Sequence, residues 1–177
     1  VGAQDRARLV IGAKVLSALL PVICGLLGVF LSNLPVTLFG SFVPPPLLGF
    51  IPVYFWCLVR PDLMTPAATF AIGLLQDVMS GGPPGIWSLS FVVAYAVIQR
   101  QRDAFAGLAG VAAVLGFAAA MLIVCVVAYL TTAALYHLTP LGPIVAELAI
   151  TVLFYVPGAI VVGALHRRLV GPLRSEF

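Results

Sequence analysis

Charge is what this sequence has least of. Asp, Glu, Lys and Arg make up only 8% of its 177 residues, where a soluble domain carries about 25%. So few charges cannot cover a water-facing surface, and with 62% hydrophobic residues the chain reads as an integral membrane protein. It also lacks the apolar–polar alternation over about ten positions that marks a membrane β-barrel strand. Its apolar runs are continuous and rich in Leu, Ala, Val and Gly. In lipid a helix satisfies its backbone groups within one segment, so the expected class is an all-α polytopic membrane protein.

Reactive groups are equally scarce. Cys24, Cys57 and Cys125 stand far apart in apolar runs, without CxxC or His/Cys spacing, and read as small buried hydrophobes. His137 and His166 have no triad partner or ligand set around them. No HExxH, GxSxG, P-loop or dinucleotide fingerprint occurs. No catalytic residue, metal or cofactor is therefore expected. The net charge of +3 does not point to nucleic acid, and the surrounding partner is the lipid bilayer.

What is present is six apolar segments, about 11–34, 47–59, 63–79, 86–98, 105–136 and 144–165, in a single transmembrane domain over 1–177. The run Val15 to Leu31 follows Arg6, Arg8 and Lys14. It is too long for a signal h-region and ends in FLSNLP rather than an A-x-A-like site, so it reads as a retained anchor. Segments two and four are short: thirteen residues reach about 20 Å against a core of about 30 Å. They either line an interior cavity or are packing adaptations. The fifth is longer than one crossing needs, and its start is expected along the membrane surface.

The basic residues orient this arrangement. With the N-terminus in the cytoplasm, six crossings put Arg6, Arg8, Lys14, Arg60, Arg100, Arg102, Arg167, Arg168 and Arg174 all inside, and the outer loops 35–46, 80–85 and 137–143 carry no Lys or Arg. That is a positive-inside pattern, with both termini cytoplasmic and Arg60, Arg100, Arg102, Arg167 and Arg168 as inner anchors. Small residues at helix-face spacing let helices approach closely: Ala106/Gly110 and Ala112/Gly116/Ala120 in segment five, Ala159/Gly163 in segment six. Gly73 in segment three joins them. Trp87, Tyr136 and Tyr155 are expected near the outer boundary as an aromatic belt, with Tyr54 and Trp56 deeper and facing other helices.

Two acids fall within the apolar segments. Asp77 lies 14 residues after Leu63 and Glu147 lies 18 before Leu165, roughly 21 Å and 27 Å from the inner boundary at helical rise. Both are thus in the outer half. A carboxylate pair would require segments three and six to be neighbours. An acid at the bilayer centre costs about 2.5–3.5 kcal/mol, and no Lys or Arg stands on the outer side to meet Asp77. Its own helix offers only a negative C-terminal end. Past the turn Ser80-Gly81-Gly82-Pro83-Pro84-Gly85, however, segment four begins. A carboxylate folded back across Gly81-Gly82 has the free N–H groups of Gly85, Ile86 and Trp87 before it. The Trp87 indole and the Ser80 hydroxyl are further donors. Asp77 is then either a clasp between helices three and four or the counter-ion of an external cation.

The stretches PPPLLGFIPVYFW and RPDLMTPAATFAIGLLQDVMSGGPPGIWSLSFVVAYAV resemble the central region of MreD, the bacterial rod shape-determining membrane protein family. Pro46, Tyr54, Trp56, Pro61, Phe70, Gly73, Asp77, Ser80, Gly81, Gly85 and Tyr95 carry the resemblance. Pro157 and the basic ending Arg167-Arg168 fit the family's last helix. Pro83-Pro84 is richer in proline than the family pattern. The resemblance implies a non-enzymatic scaffold of the cell-wall elongation complex, or elongasome, in the bacterial inner membrane. It implies binding to MreC and, through it, to RodA, its penicillin-binding transpeptidase and MreB filaments, in support of cell shape and lateral peptidoglycan synthesis. It also implies a six-helix fold resembling the substrate-binding component of energy-coupling-factor transporters. A subunit of such a vitamin-type transporter is the competing function. That family meets its coupling protein through Ala-x-x-x-Ala on the first helix, where this chain has Ala13-x-x-x-Ser17. A membrane enzyme fails for want of ionisable residues at one depth.

Overall fold

The computed structural model describes residues 19–34, 44–108, 110–136 and 140–169. Residues 11–18 of the first expected helix, the basic residues Arg6, Arg8, Lys14 and Arg174, most of the first outer loop, and His137 lie outside them. The described residues are all-helical, with no strand: α1 Leu19–Ser32, α2 Phe50–Val59, α3 Pro66–Ser80, α4 Ile86–Arg100, α5 Arg102–Ala106, α6 Val111–Leu135 and α7 Leu141–Leu169.

The boundaries move where local chemistry overrides hydropathy. α3 begins at Pro66 rather than 63, because Thr65 is its N-cap, accepting from the Ala68 N–H at 3.1 Å, and Pro66 takes the first helical position. α4 runs two residues past the expected end. The single expected helix 105–136 is two: α5 and α6 are separated at Gly110, whose φ of 56° breaks the helix. Ala106/Gly110 is therefore not a row on one helix face, and the side chain of Ala106 lies outside the described residues. α7 is longer than 144–165 at both ends. Pro143 sits in its first turn, where its missing N–H has no intrahelical acceptor to lose, and Pro157 lies inside it.

α6 and α7 are long and apolar enough to cross a membrane. Large apolar side chains point outward along the bundle, with Val111 77%, Leu153 74% and Val78 70% exposed. An apolar exterior of this kind suits lipid rather than water. Inside, α4 packs against α3, α6 and α2, and α7 packs against α6 and α2. α1 lies on α3 and the start of α2, with Gly25 against Ile72 and Gly28 against the Leu48 backbone.

α2 is shorter than expected, ten residues rather than thirteen, about 15 Å of helix, and neighbours shield it. Phe50, Ile51, Val53, Tyr54, Trp56 and Cys57 are all buried. Its approach, residues 44–49, is not helical, and past the three prolines its first amides need acceptors within the protein, one of them the Pro46 carbonyl, which takes the Leu48 N–H at 2.9 Å. The Leu47 N–H donates to Thr151 Oγ1 on α7 and the Leu48 N–H to Ser32 Oγ on α1, both at 3.0 Å. Each hydroxyl in turn donates to its own helix, Thr151 to the Glu147 carbonyl and Ser32 to the Gly28 carbonyl.

Aromatic rings fill the centre. Phe50 meets Phe91 at 5.1 Å between centroids, Tyr54 meets Phe117 edge-on at 5.2 Å, and Tyr155 stacks on Phe117 at 4.3 Å. Tyr155 is thus half-buried and packed against the core rather than a member of an outer belt. Gly116 and Ala120 face the core, Gly116 against the Tyr54 hydroxyl and Leu108, while Ala112 is half-buried. On α7 the tight contact is Gly158 against Ile51, beside half-buried Ala159; Gly163 makes ordinary contact with Phe55. The three cysteines are free and buried.

The opposite end of the bundle from the α3–α4 turn is basic. Arg102 reaches the Leu58 carbonyl, Arg60 pairs with Asp62 at 2.8 Å, and Arg100, Arg167 and Arg168 are exposed. His166, expected in this basic cluster, is buried with its ring edge-on to Phe55 and Trp56. Hydrogen bonding from Arg60 holds the Asp62 carboxyl below its ordinary range. Any stability it adds is present above the ordinary carboxylate pKa and is lost as pH falls through the depressed value.

Thr151→Val keeps the shape but leaves the Leu47 N–H without its acceptor, and should cost about 1–3 kcal/mol. Thr131→Val removes only a bond back to the Val127 carbonyl and should change stability by less than about 0.5 kcal/mol. Asp62→Asn, at an exposed pair, should cost under about 1 kcal/mol. Thermal unfolding in detergent reads all three.

Candidate functional site

The turn between α3 and α4 is built from an acid and three glycines. Asp77 lies in the last turn of α3, on its buried stripe with Thr69, Ile72, Gly73 and Gln76. The helix stops at Gly81, whose φ of 66° places it in the left-handed region, and α4 starts after Gly85, with φ of 102°. Both positions suit glycine, because a Cβ strains these conformations. Between them Pro83 and Pro84 stiffen the return.

Gly85 has no side chain to cap α4, and Asp77 supplies the cap from the preceding helix. Its Oδ2 accepts from the Gly85 N–H at 2.9 Å, the Ser88 N–H at 3.1 Å and the Ser88 hydroxyl at 2.6 Å. Its Oδ1 accepts from the Trp87 N–H at 2.8 Å. Counting from Gly85 as N-cap, Trp87 and Ser88 are the second and third helical residues, whose amides an N-cap side chain ordinarily serves. The carboxylate also meets the positive end of the α4 dipole. It is only 1% exposed. Four bonds to a charged acceptor, each contributing about 1.5–3 kcal/mol, offset the cost of holding an acid in an apolar phase.

Gly73 makes the reach possible. One helical turn before Asp77, it lies against α4 so closely that a Cβ there would sit 2.6 Å from Ser88 Cα and 2.9 Å from the Trp87 carbonyl oxygen. The donors differ in part from those the sequence offers. The Gly85 and Trp87 amides bond the carboxylate and the Ile86 amide does not. The Ser80 hydroxyl donates to the Asp77 backbone carbonyl at 3.2 Å. Ser88, the donor with two bonds, is not among the donors expected from the sequence, although its place three residues after Gly85 marks it.

Glu147 does not join Asp77. α3 packs on α4 while α7 packs on α6 and α2, so the conditional carboxylate pair does not form. Glu147 instead lines a cavity of about 320 Å³ with Ile86 and Trp87 of α4, Ala128 and Thr132 of α6, and Pro140, Pro143 and Ile144 at the start of α7. Trp87, whose amide bonds Asp77, thus also belongs to this wall. Tyr136 is half exposed at the end of α6. Among the described residues no group of three or more His, Cys, Asp or Glu has the proximity to hold a metal ion.

Asp77→Ala strands four donors and should cost at least about 3 kcal/mol. Asp77→Asn sets amide hydrogens against donors and should also lower stability. Ser88→Ala, which leaves the Gly85, Trp87 and Ser88 amides bonded, should cost about 1–3 kcal/mol. Folded yield and thermal unfolding in detergent test this order; wild-type values for both Asp77 variants would exclude the clasp. Compared with family models, curated proteins and solved structures, the chain matches none.

Proposed function

We propose that this chain is an MreD-type scaffold of the bacterial inner membrane, crossing it six times with both termini in the cytoplasm. On this reading it docks MreC and, through it, RodA, its penicillin-binding transpeptidase and MreB filaments, and performs no chemistry of its own. One observation carries most of the weight. Gly73, Asp77, Gly81 and Gly85, which carry the resemblance to the family, build the α3–α4 clasp together with Ser88. The acid that stands out in the sequence has its acceptor capacity committed to amide and hydroxyl donors. That is the chemistry of a rigid turn presented at the membrane surface, not of a proton donor or nucleophile. The burial of Tyr54 and Trp56 in α2 accounts for two further residues of the resemblance. The arginines at the end remote from the turn agree with that end being cytoplasmic.

A second reading is the ligand-binding subunit of a small-molecule transporter. The cavity beside Glu147 favours it, lying within the volume range of about 300–1,000 Å³ common for ligand sites.

Gentle affinity purification from native membranes separates the two. A scaffold should bring down a single-span protein with a large outer domain. A stoichiometric vitamin-like molecule in place of that partner would sink the scaffold reading.

A further inference from the structure

The cavity between α4, α6 and α7 combines apolar walls with a carboxylate. Ile86, Ala128, Pro143 and Ile144 make it apolar. The Thr132 hydroxyl is engaged with the Ala128 carbonyl at 2.8 Å. Among the described residues Glu147 is the one ionisable group in the lining, and Trp87 is the one aromatic residue there. No hydrogen bond to the Glu147 carboxylate comes from the described residues. Their arginines are remote: Arg167 lies twenty residues along the same helix, about 30 Å away at helical rise. Arg100 is thirteen residues along α4 from Trp87, about 20 Å by the same rise. A half-buried carboxylate with apolar neighbours is stabilised by a cation within contact distance, and an indole ring attracts one as well.

We propose that this cavity binds a primary alkylammonium group on a short apolar stem, with Glu147 as its counter-ion and Trp87 as its aromatic wall. The volume, about 320 Å³, stands at the small end for ligand sites. It has room for a stem of a few carbons. The clasp serves this site, because the Asp77 carboxylate holds the Trp87 amide and so fixes that wall to α3. The chemistry is that of a lysine side chain, whose methylene stem suits apolar walls while its head seeks charge. A free small amine offers the same groups. The site stands whether or not the chain is a scaffold.

The test is titration of the purified full chain, in uncharged detergent at neutral pH, with n-pentylammonium and with n-pentanol. The unfolding midpoint reports binding. The amine should raise it saturably and the alcohol should not. Glu147→Gln should weaken the amine's apparent affinity at least about tenfold. An equal response to amine and alcohol, or wild-type amine affinity in Glu147→Gln, would overturn the proposal. If Glu147→Gln does not fold, Ile144→Trp fills the cavity from its rim while leaving the carboxylate, and should abolish the amine response; retained affinity again overturns it. In native membranes, carbodiimide coupling of Glu147 to a lysine would identify a polypeptide source. A co-purifying small amine would identify a free one. Failure here leaves the scaffold reading intact, since that rests on which protein co-purifies.

Discussion

The N-terminus of α4 is capped by a side chain from another helix, and the rest of the molecule is arranged around that fact. A helix start buried in the protein leaves amides that need acceptors from the protein itself. Gly85 has no side chain to offer, so the Asp77 carboxylate crosses from α3 to serve Gly85, Trp87 and Ser88. The remaining features follow from that reach. Gly73 lets the two backbones close up, Gly81 and Gly85 turn the chain back, and the Ser88 hydroxyl takes up remaining capacity on Oδ2. Because α4 touches α2, α3 and α6, fixing its first turn fixes a central element of the bundle.

The same constraint governs α2. Its non-helical approach has no ladder of its own, and hydroxyls on α1 and α7 accept from it. Thr151 and Ser32 each accept one amide and donate to a carbonyl one turn earlier on their own helix, so neither adds an unpaired group. Ser90, Thr131 and Thr132 bond back in the same manner, a habit of hydroxyls in helices where no water competes. A ten-residue helix is stable here because its neighbours meet its polar ends and its aromatic face alike.

The two acids show how far one dimension reaches. At similar estimated depth, Asp77 and Glu147 invite comparison as a pair. Packing separates them: Asp77 is consumed by α4, while Glu147 faces a cavity lined mainly by apolar side chains. Hydropathy gives depth along a helix but no bearing around it, and neighbouring helices are chosen by contacts remote in sequence.

Composition by itself determined the helical class and the apolar exterior, because a chain this poor in charge has no polar groups with which to face water. Its glycines and prolines determined where α3 ends and α4 begins, since left-handed turns and helix starts select those residues locally. It also placed Asp77 at that turn with the Gly85 and Trp87 amides in range. Only the tertiary structure decided that Ser88 is the acid's strongest partner, that α5 separates from α6, that Tyr155 stacks against the core, and that Glu147 opens on a cavity. Each of those depends on which faces of α2, α4, α6 and α7 meet, and that is set by side chains fitting across helices rather than by their order along one.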